Sequence, residues 1–309
     1  MFALILFGVW LRRVGMLGPQ AHAFITRFVY LFSLPVLLFT GIVKEHFSAL
    51  LNPAVIVSTL AATFVVITAG WLISRFVPQR LRGPAVATAF IANTAYIGFP
   101  LSQNAFGDPG LTYAGIVNAF TMPVFIVLGV WLLTFGRAGH GAWHRKIRTA
   151  LTNPIVLSAL LGAAASLVVH ETPVRHVIAW QPVSELLALI GAIVKPVGLM
   201  GLPLALIAVG ASLRFEHIRG HWSVMGVCTV AKLVVMPLVT WLFCRFMFPA
   251  AAPAAAGTAV LIMACPQSVG LYVISRELDA EAEFVGGMLV LTTVGACITI
   301  PIWVALVVT

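Results

Sequence analysis

Charge is scarce in this chain. Asp, Glu, Lys and Arg together make up 9% of its 309 residues, against about 25% in an ordinary soluble domain. Acidic residues are the scarcest, nine in all beside 18 Lys and Arg, for a formal net charge of +9. Hydrophobic residues reach 61% and mean hydropathy is +1.06. A water-soluble fold cannot hide that much apolar surface, so the composition reads as all-α integral membrane. Cysteine is rare too. Cys228, Cys244, Cys265 and Cys297 each sit inside an apolar run with no metal-ligand spacing. They read as packing residues. Catalytic signatures are missing as well. The eight histidines fall at loops or span ends, and no His-Glu-x-x-His motif occurs. Gly210-Ala211-Ser212 lacks the trailing glycine of a nucleophile elbow, and there is no Walker sequence. These absences argue against a zinc enzyme, a serine hydrolase and an ATP-driven pump. No enzyme activity, metal or organic cofactor is expected. The net positive charge is assigned to loops beside membrane lipid rather than to nucleic acid. Met1 leads directly into an apolar run without a cleavable signal pattern.

What is present is a series of apolar runs. Ten candidate spans read as 1–11, 22–43, 54–74, 84–106, 111–135, 154–170, 184–213, 222–247, 253–275 and 284–308. The first is anomalous. Eleven residues precede Arg12, roughly 16 Å of helix at 1.5 Å per residue, short of about 30 Å of hydrocarbon. It is either a stub or the remnant of a start placed too late.

Basic residues orient the spans. The odd-numbered connections, with their helix ends, carry thirteen Lys and Arg, and the even-numbered ones carry three: Lys44, Arg175 and Arg245. This bias puts the odd connections in the cytoplasm and both termini outside. The basic connection 137–153 divides a first five-helix repeat, 1–136, from a second, 154–309. Ser33-Leu34-Pro35 is echoed by Gly201-Leu202-Pro203, and the steps Pro35 to Pro100 and Pro203 to Pro266 are 65 and 63 residues. An odd number of spans per copy inverts the second copy, which is the plan of many secondary transporters.

The fourth and ninth spans carry the chemistry. The fourth holds Asn93, Thr94, Gly98 and Pro100, and the ninth holds Pro266, Gln267 and Ser268. Proline removes a backbone donor, and in lipid the freed groups must find partners or line a cavity. Matched breaks in two spans mark a transport site. The half-helix after each break offers unpaired N–H groups and a positive dipole end suited to a small anion. Neutral hydrogen bonds from Asn93, Thr94, Gln267 and Ser268 can add to it.

The segment Asn93-Thr94-Ala95-Tyr96-Ile97-Gly98-Phe99-Pro100-Leu101 resembles the broken-helix motif of the auxin efflux carrier family, which includes bacterial permeases and is related to the plant PIN transporters. Gly201-Leu202-Pro203 through Gly210-Ala211-Ser212-Leu213 resembles its seventh helix, and Pro266 and Pro301 fall where the family has prolines. The resemblance covers nearly the whole chain. It implies ten transmembrane helices in two inverted repeats, with the fourth and ninth helices broken and crossing beside the substrate. It implies a secondary transporter of small organic anions, mono- or dicarboxylates such as malonate or malate, working by alternating access. It also implies residence in the bacterial inner membrane and pairing as a homodimer. The long central loop of many plant members is missing, and Cys265-Pro266-Gln267 stands where a second Asn-containing motif would be.

Lys232 sits about ten residues into the eighth span, roughly 15 Å deep. An intramembrane lysine faces the bundle interior or a cavity, so it joins the substrate-site candidates; the alternative is a lysine that snorkels or is satisfied by backbone carbonyls. Lys195 and Arg27 lie near helix ends and read as snorkelling cations. No acidic residue lies at the midplane, so the coupling ion, H+ or Na+, stays open. An uncoupled facilitator or channel is the alternative to a coupled carrier.

Overall fold

A computed structural model describes residues 2–43, 53–134, 154–171, 181–214 and 221–308. The basic connection 137–153 lies outside the described residues. The described chain is helical: α1 Phe2–Arg13, α2 Pro19–Ile42, α3 Pro53–Ile73, α4 Gln79–Phe90, α5 Thr94–Leu133, α6 Pro154–Glu171, α7 Gln181–Ser212, α8 Trp222–Met247, α9 Pro253–Met263, α10 Val269–Glu277 and α11 Ala282–Val308. Six helices among the described residues are long and apolar enough to cross a membrane. The number is below ten partly because two of the expected spans are split into shorter helices. The fourth is α4 plus the first leg of α5, and the ninth is α9 plus α10. The α5 helix is itself bent at Gly107 (φ 65°, ψ −149°), a conformation open to glycine and closed to side-chain-bearing residues.

The surface is apolar, unlike that of a soluble protein, over an interior that is mostly apolar but holds a set of buried polar side chains. Leu6, Ile193 and Ile298 are exposed, while Asn93, Asn118, Gln267 and Lys232 are buried. Lys195 and Arg27 are exposed on α7 and α2.

Two groups of helices emerge from the packing. One contains α1, α2, α6 and α7; the other contains α3, α4, α5 and α8 through α11. Within the first, α1 lies on α7 with no side chain between them at two points. A Cβ on Gly8 would fall 2.2 Å from the Ile207 carbonyl oxygen, and one on Gly210 would fall 1.9 Å from that of Ile5. Such close approach needs small residues. The Arg12 Nη1 donates to the Leu213 carbonyl at 2.9 Å and the Ala211 carbonyl at 3.3 Å. These are among the last carbonyls of α7, which lack partners within the helix. The His22 Nε2 bonds the Ala208 oxygen at 3.1 Å. Gly210-Ala211-Ser212-Leu213 is therefore the seat on which α1 and the start of α2 dock. The second group meets the first mainly along α5, which touches α2, α6 and α7.

Three prolines sit just after a wide helical turn. The turns Val29–Ser33, Thr94–Gly98 and Ala231–Val235 close i→i−5 bonds, from Leu34 to Val29, Phe99 to Thr94 and Met236 to Ala231. Pro35, Pro100 and Pro237 follow. A proline cannot donate to the carbonyl four residues back and its ring crowds that carbonyl. The extra residue in the turn relieves both problems, which is why no sharp break appears at these prolines. At Pro237 the released carbonyl, that of Leu233, accepts from Trp303 Nε1 at 2.9 Å.

Candidate functional site: a crossing of two broken helices

The chain leaves helical geometry at two buried places, residues 91–93 after α4 and residues 264–268 after α9. The two places meet. Asn93 N donates to the Pro266 carbonyl at 2.8 Å, and Ser268 N donates to the Ile91 carbonyl at 3.2 Å. Ala92 and Gln267 thus form an antiparallel bridge between two interrupted helices. Each break supplies one donor and one acceptor to the other, so a pair of lesions that would be costly apart is satisfied in common.

Other helices satisfy the remainder. The Met263 carbonyl, orphaned at the end of α9, accepts from Lys232 Nζ at 2.9 Å. Gln267 N donates to Thr292 Oγ1 at 3.1 Å, and Thr292 Oγ1 donates onward to the Met288 carbonyl at 2.7 Å. Ile97 N and Gly98 N both donate to the Asn93 carbonyl, at 3.2 and 3.1 Å. Ser268 caps α10, accepting from Gly270 N at 3.1 Å.

Some polar atoms at the crossing are buried and have no partner among the described residues: Asn93 Nδ2, Asn118 Nδ2 and Gln267 Oε1. The Thr94 hydroxyl donates to Asn118 Oδ1, which ties Asn118 on the second leg of α5 to the same place. The crossing is closed to solvent: Asn93 and Thr94 keep 2% of their surface and Gln267 none. Around it lie the N-termini of two half-helices, residues 94–106 and α10. Their first N–H groups have no helical acceptor and their dipoles place partial positive charge there.

The structure brings Asn93, Thr94, Pro266, Gln267 and Ser268 together. Lys232 reaches the edge of the group from α8, with its ammonium on the Met263 carbonyl. Gly98 lies against α9, its α-carbon facing Ile262 and Cys265; a Cβ there would stand 3.3 Å from Ile262 Cδ1. Pro100 is corrected. It does not make the first break; it lies in the regular helix beyond the wide turn, and the break precedes it at residues 91–93. The start of the fourth span also moves back, from 84 to Gln79. Asn118 and Thr292 escaped the sequence reading. Each is one of several uncharged polar residues on a long apolar helix, Asn118 with Thr112 and Thr121 on α5 and Thr292 with Thr293 on α11, and only the packing shows which of them reaches the crossing.

A satisfied crossing of broken helices inside an apolar bundle is the architecture of a multi-pass membrane transport protein. The chain belongs to the membrane transport protein family that includes the auxin efflux carriers: the family model matches residues 1–141 and 142–304. It is also similar to an uncharacterized transporter of Methanothermobacter thermautotrophicus, 24% identical over 312 residues that cover 97% of this chain and 94% of that protein.

Proposed function

We propose that this protein is a secondary transporter of small organic anions, carrying mono- or dicarboxylates such as malonate or malate across the bacterial inner membrane. The observation that carries the reading is the set of unpartnered donors at the crossing. Asn93 Nδ2 and Asn118 Nδ2 are buried with nothing to bond among the described residues. Leaving a buried donor unsatisfied costs about 1–3 kcal/mol. A carboxylate would relieve that cost and meet two helix N-termini at once. Gln267 Oε1, an acceptor without a donor, suits a hydroxyl such as that of malate. Lys232 adds positive charge behind α9. Thr94 and Ser268 position the half-helix starts, and Pro266 keeps the second break open by withholding a donor.

The arrangement supports alternating access. The helix group of α1, α2, α6 and α7 acts as the scaffold. The other group carries the crossing and slides along it at α5, where the Tyr96 hydroxyl reaches the Thr26 carbonyl of α2 at 3.3 Å. The described state is occluded. The reciprocal bonds about Ala92 and Gln267 support a reading of two inverted five-helix repeats, for which the basic residues of the sequence favour both termini outside the cell. H+ or Na+ supplies the coupling, and two scaffolds pair as a homodimer.

Uptake and counterflow of radiolabelled malonate and malate into proteoliposomes test the reading. Wild-type protein shows saturable counterflow, and Asn93→Ala loses it while its yield and elution profile stay those of wild type. Linear, non-saturable flux would make the protein a facilitator. Wild-type transport by Asn93→Ala would remove the crossing as the site.

A further inference from the structure

A recess of about 220 Å³ opens where the end of α7 approaches the turn between α10 and α11. Arg214, Tyr272, Arg276, Ala282 and Glu283 line it. Its size lies below the ~300 Å³ at which pockets for drug-sized ligands begin, so it fits a solute of a few carbons. Arg214 and Arg276 are exposed, and neither guanidinium has an ion pair or hydrogen bond within the described residues. The first turn of α11 contributes N–H groups that no helical carbonyl reaches, with the positive end of a 27-residue helix behind them.

Glu281 is held toward Arg80, with Oε1 3.9 Å from Nε, and Arg80 Nη2 lies 3.3 Å from His221 Nε2 on the far side. Asp279 and Glu281 hold this turn in the left-handed region, both at φ 49°. Among the described residues, Glu283 is the one carboxylate that lines the recess. Among the described lining residues, two guanidiniums outnumber one carboxylate.

Helix α10 connects the recess to the crossing. Ser268, Tyr272 and Arg276 are four residues apart and share one face of the helix. Eight residues at 1.5 Å each put Arg276 about 12 Å from Ser268 along the axis. The two arginines also belong to different helix groups. Arg214 lies two residues beyond the end of α7 of the scaffold, and Arg276 lies in the last turn of α10 of the group that carries the crossing.

We propose that this recess is a capture site for small carboxylates, in which Arg214 and Arg276 together hold one anion at the mouth of the path along α10. The inference rests on the anion-transport reading above. An anion held by both arms bridges the two helix groups, so the site exists in one arrangement of the groups and splits when they slide.

The test is arginine modification by phenylglyoxal, read residue by residue by mass spectrometry, with malonate as the probe and glycerol as the neutral control. Malonate protects Arg214 and Arg276 and leaves Arg245, in the last turn of α8, reactive. Arg276→Gln removes the protection of Arg214. Glu283→Gln lowers the malonate concentration needed for protection by roughly two- to fivefold, the scale of one exposed charge contact. That gain cannot come from misfolding. Equal reactivity with and without malonate overturns the capture site, as does a Glu283→Gln variant no better protected than wild type. The same labelling in Asn93→Ala separates the two readings. Protection that persists there while uptake is lost supports both. Absent protection with malonate uptake intact sinks the capture site alone. Protection without any wild-type malonate or malate uptake sinks the transport reading alone.

Discussion

Replacing Thr292 by valine removes one oxygen and keeps the shape. In the folded protein that oxygen is the acceptor for Gln267 N–H, at 3.1 Å, inside the second break. Thr292 is fully buried, so no water replaces it. A buried donor stripped of its partner costs about 1–3 kcal/mol. For a chain of a few hundred residues, roughly 2–4 °C of melting temperature go with each kcal/mol, so Thr292→Val should melt about 2–12 °C below wild type. The neighbouring Thr293 provides the control. It is also buried on α11 and back-bonds its own helix, to the Leu289 carbonyl at 2.7 Å. That carbonyl belongs to the helix ladder, and no broken segment depends on Thr293. Thr293→Val should therefore stay close to wild type. Melting curves from tryptophan fluorescence of detergent-purified protein, recorded side by side for the two variants, decide the matter. If Thr292→Val melts together with Thr293→Val, the break does not depend on α11 and the account of how it is satisfied is wrong.

Lys232→Gln keeps a donor near the Met263 carbonyl and removes the charge. Malonate affinity measured by thermal shift should fall about tenfold, or 1.4 kcal/mol, and unchanged affinity would reduce the lysine to a cap on α9. Asn118→Ala removes both the acceptor of the Thr94 hydroxyl and a free donor, so the KM for malonate uptake should rise roughly tenfold, within the range for a buried hydrogen-bonding group; an unaltered KM would place the second leg of α5 outside the site. A Cβ on Gly83 would stand 1.9 Å from the Leu132 carbonyl oxygen, whereas one on Gly226 would meet nothing within 4 Å. Gly83→Ala should thus lose about 1–3 kcal/mol or more from forced separation of α4 and α5, seen as reduced monodisperse yield, and Gly226→Ala should match wild type.

The membrane class was legible in composition, and the second break was legible in Pro266. The first was harder. Proline advertises itself, but its mechanical effect falls upstream, on the carbonyl four residues back, and at Pro100 the turn Thr94–Gly98 absorbs it. The real departure, at Ile91-Ala92-Asn93, contains neither proline nor glycine. It is held by long-range bonds to Pro266 and Ser268, which no local propensity encodes. Lys232 stood out as an intramembrane charge, yet its acceptor, a carbonyl on another helix, follows only from the packing of α8 on α9. The Gly210-Ala211-Ser212-Leu213 segment pointed to the family; the structure shows it seating α1.

The bridge between Ala92 and Gln267 also constrains how the protein is made. Ribosomes deliver the α4–α5 region to the membrane long before the α9–α10 region exists. Until then the Ile91 carbonyl and the Asn93 amide have no native partner in the nascent chain, and in hydrocarbon they cannot borrow one from water. The first half must wait with an open wound at its centre, shielded by the insertion machinery or by a temporary helical register. Arrival of Pro266 through Ser268 then closes both halves in one event.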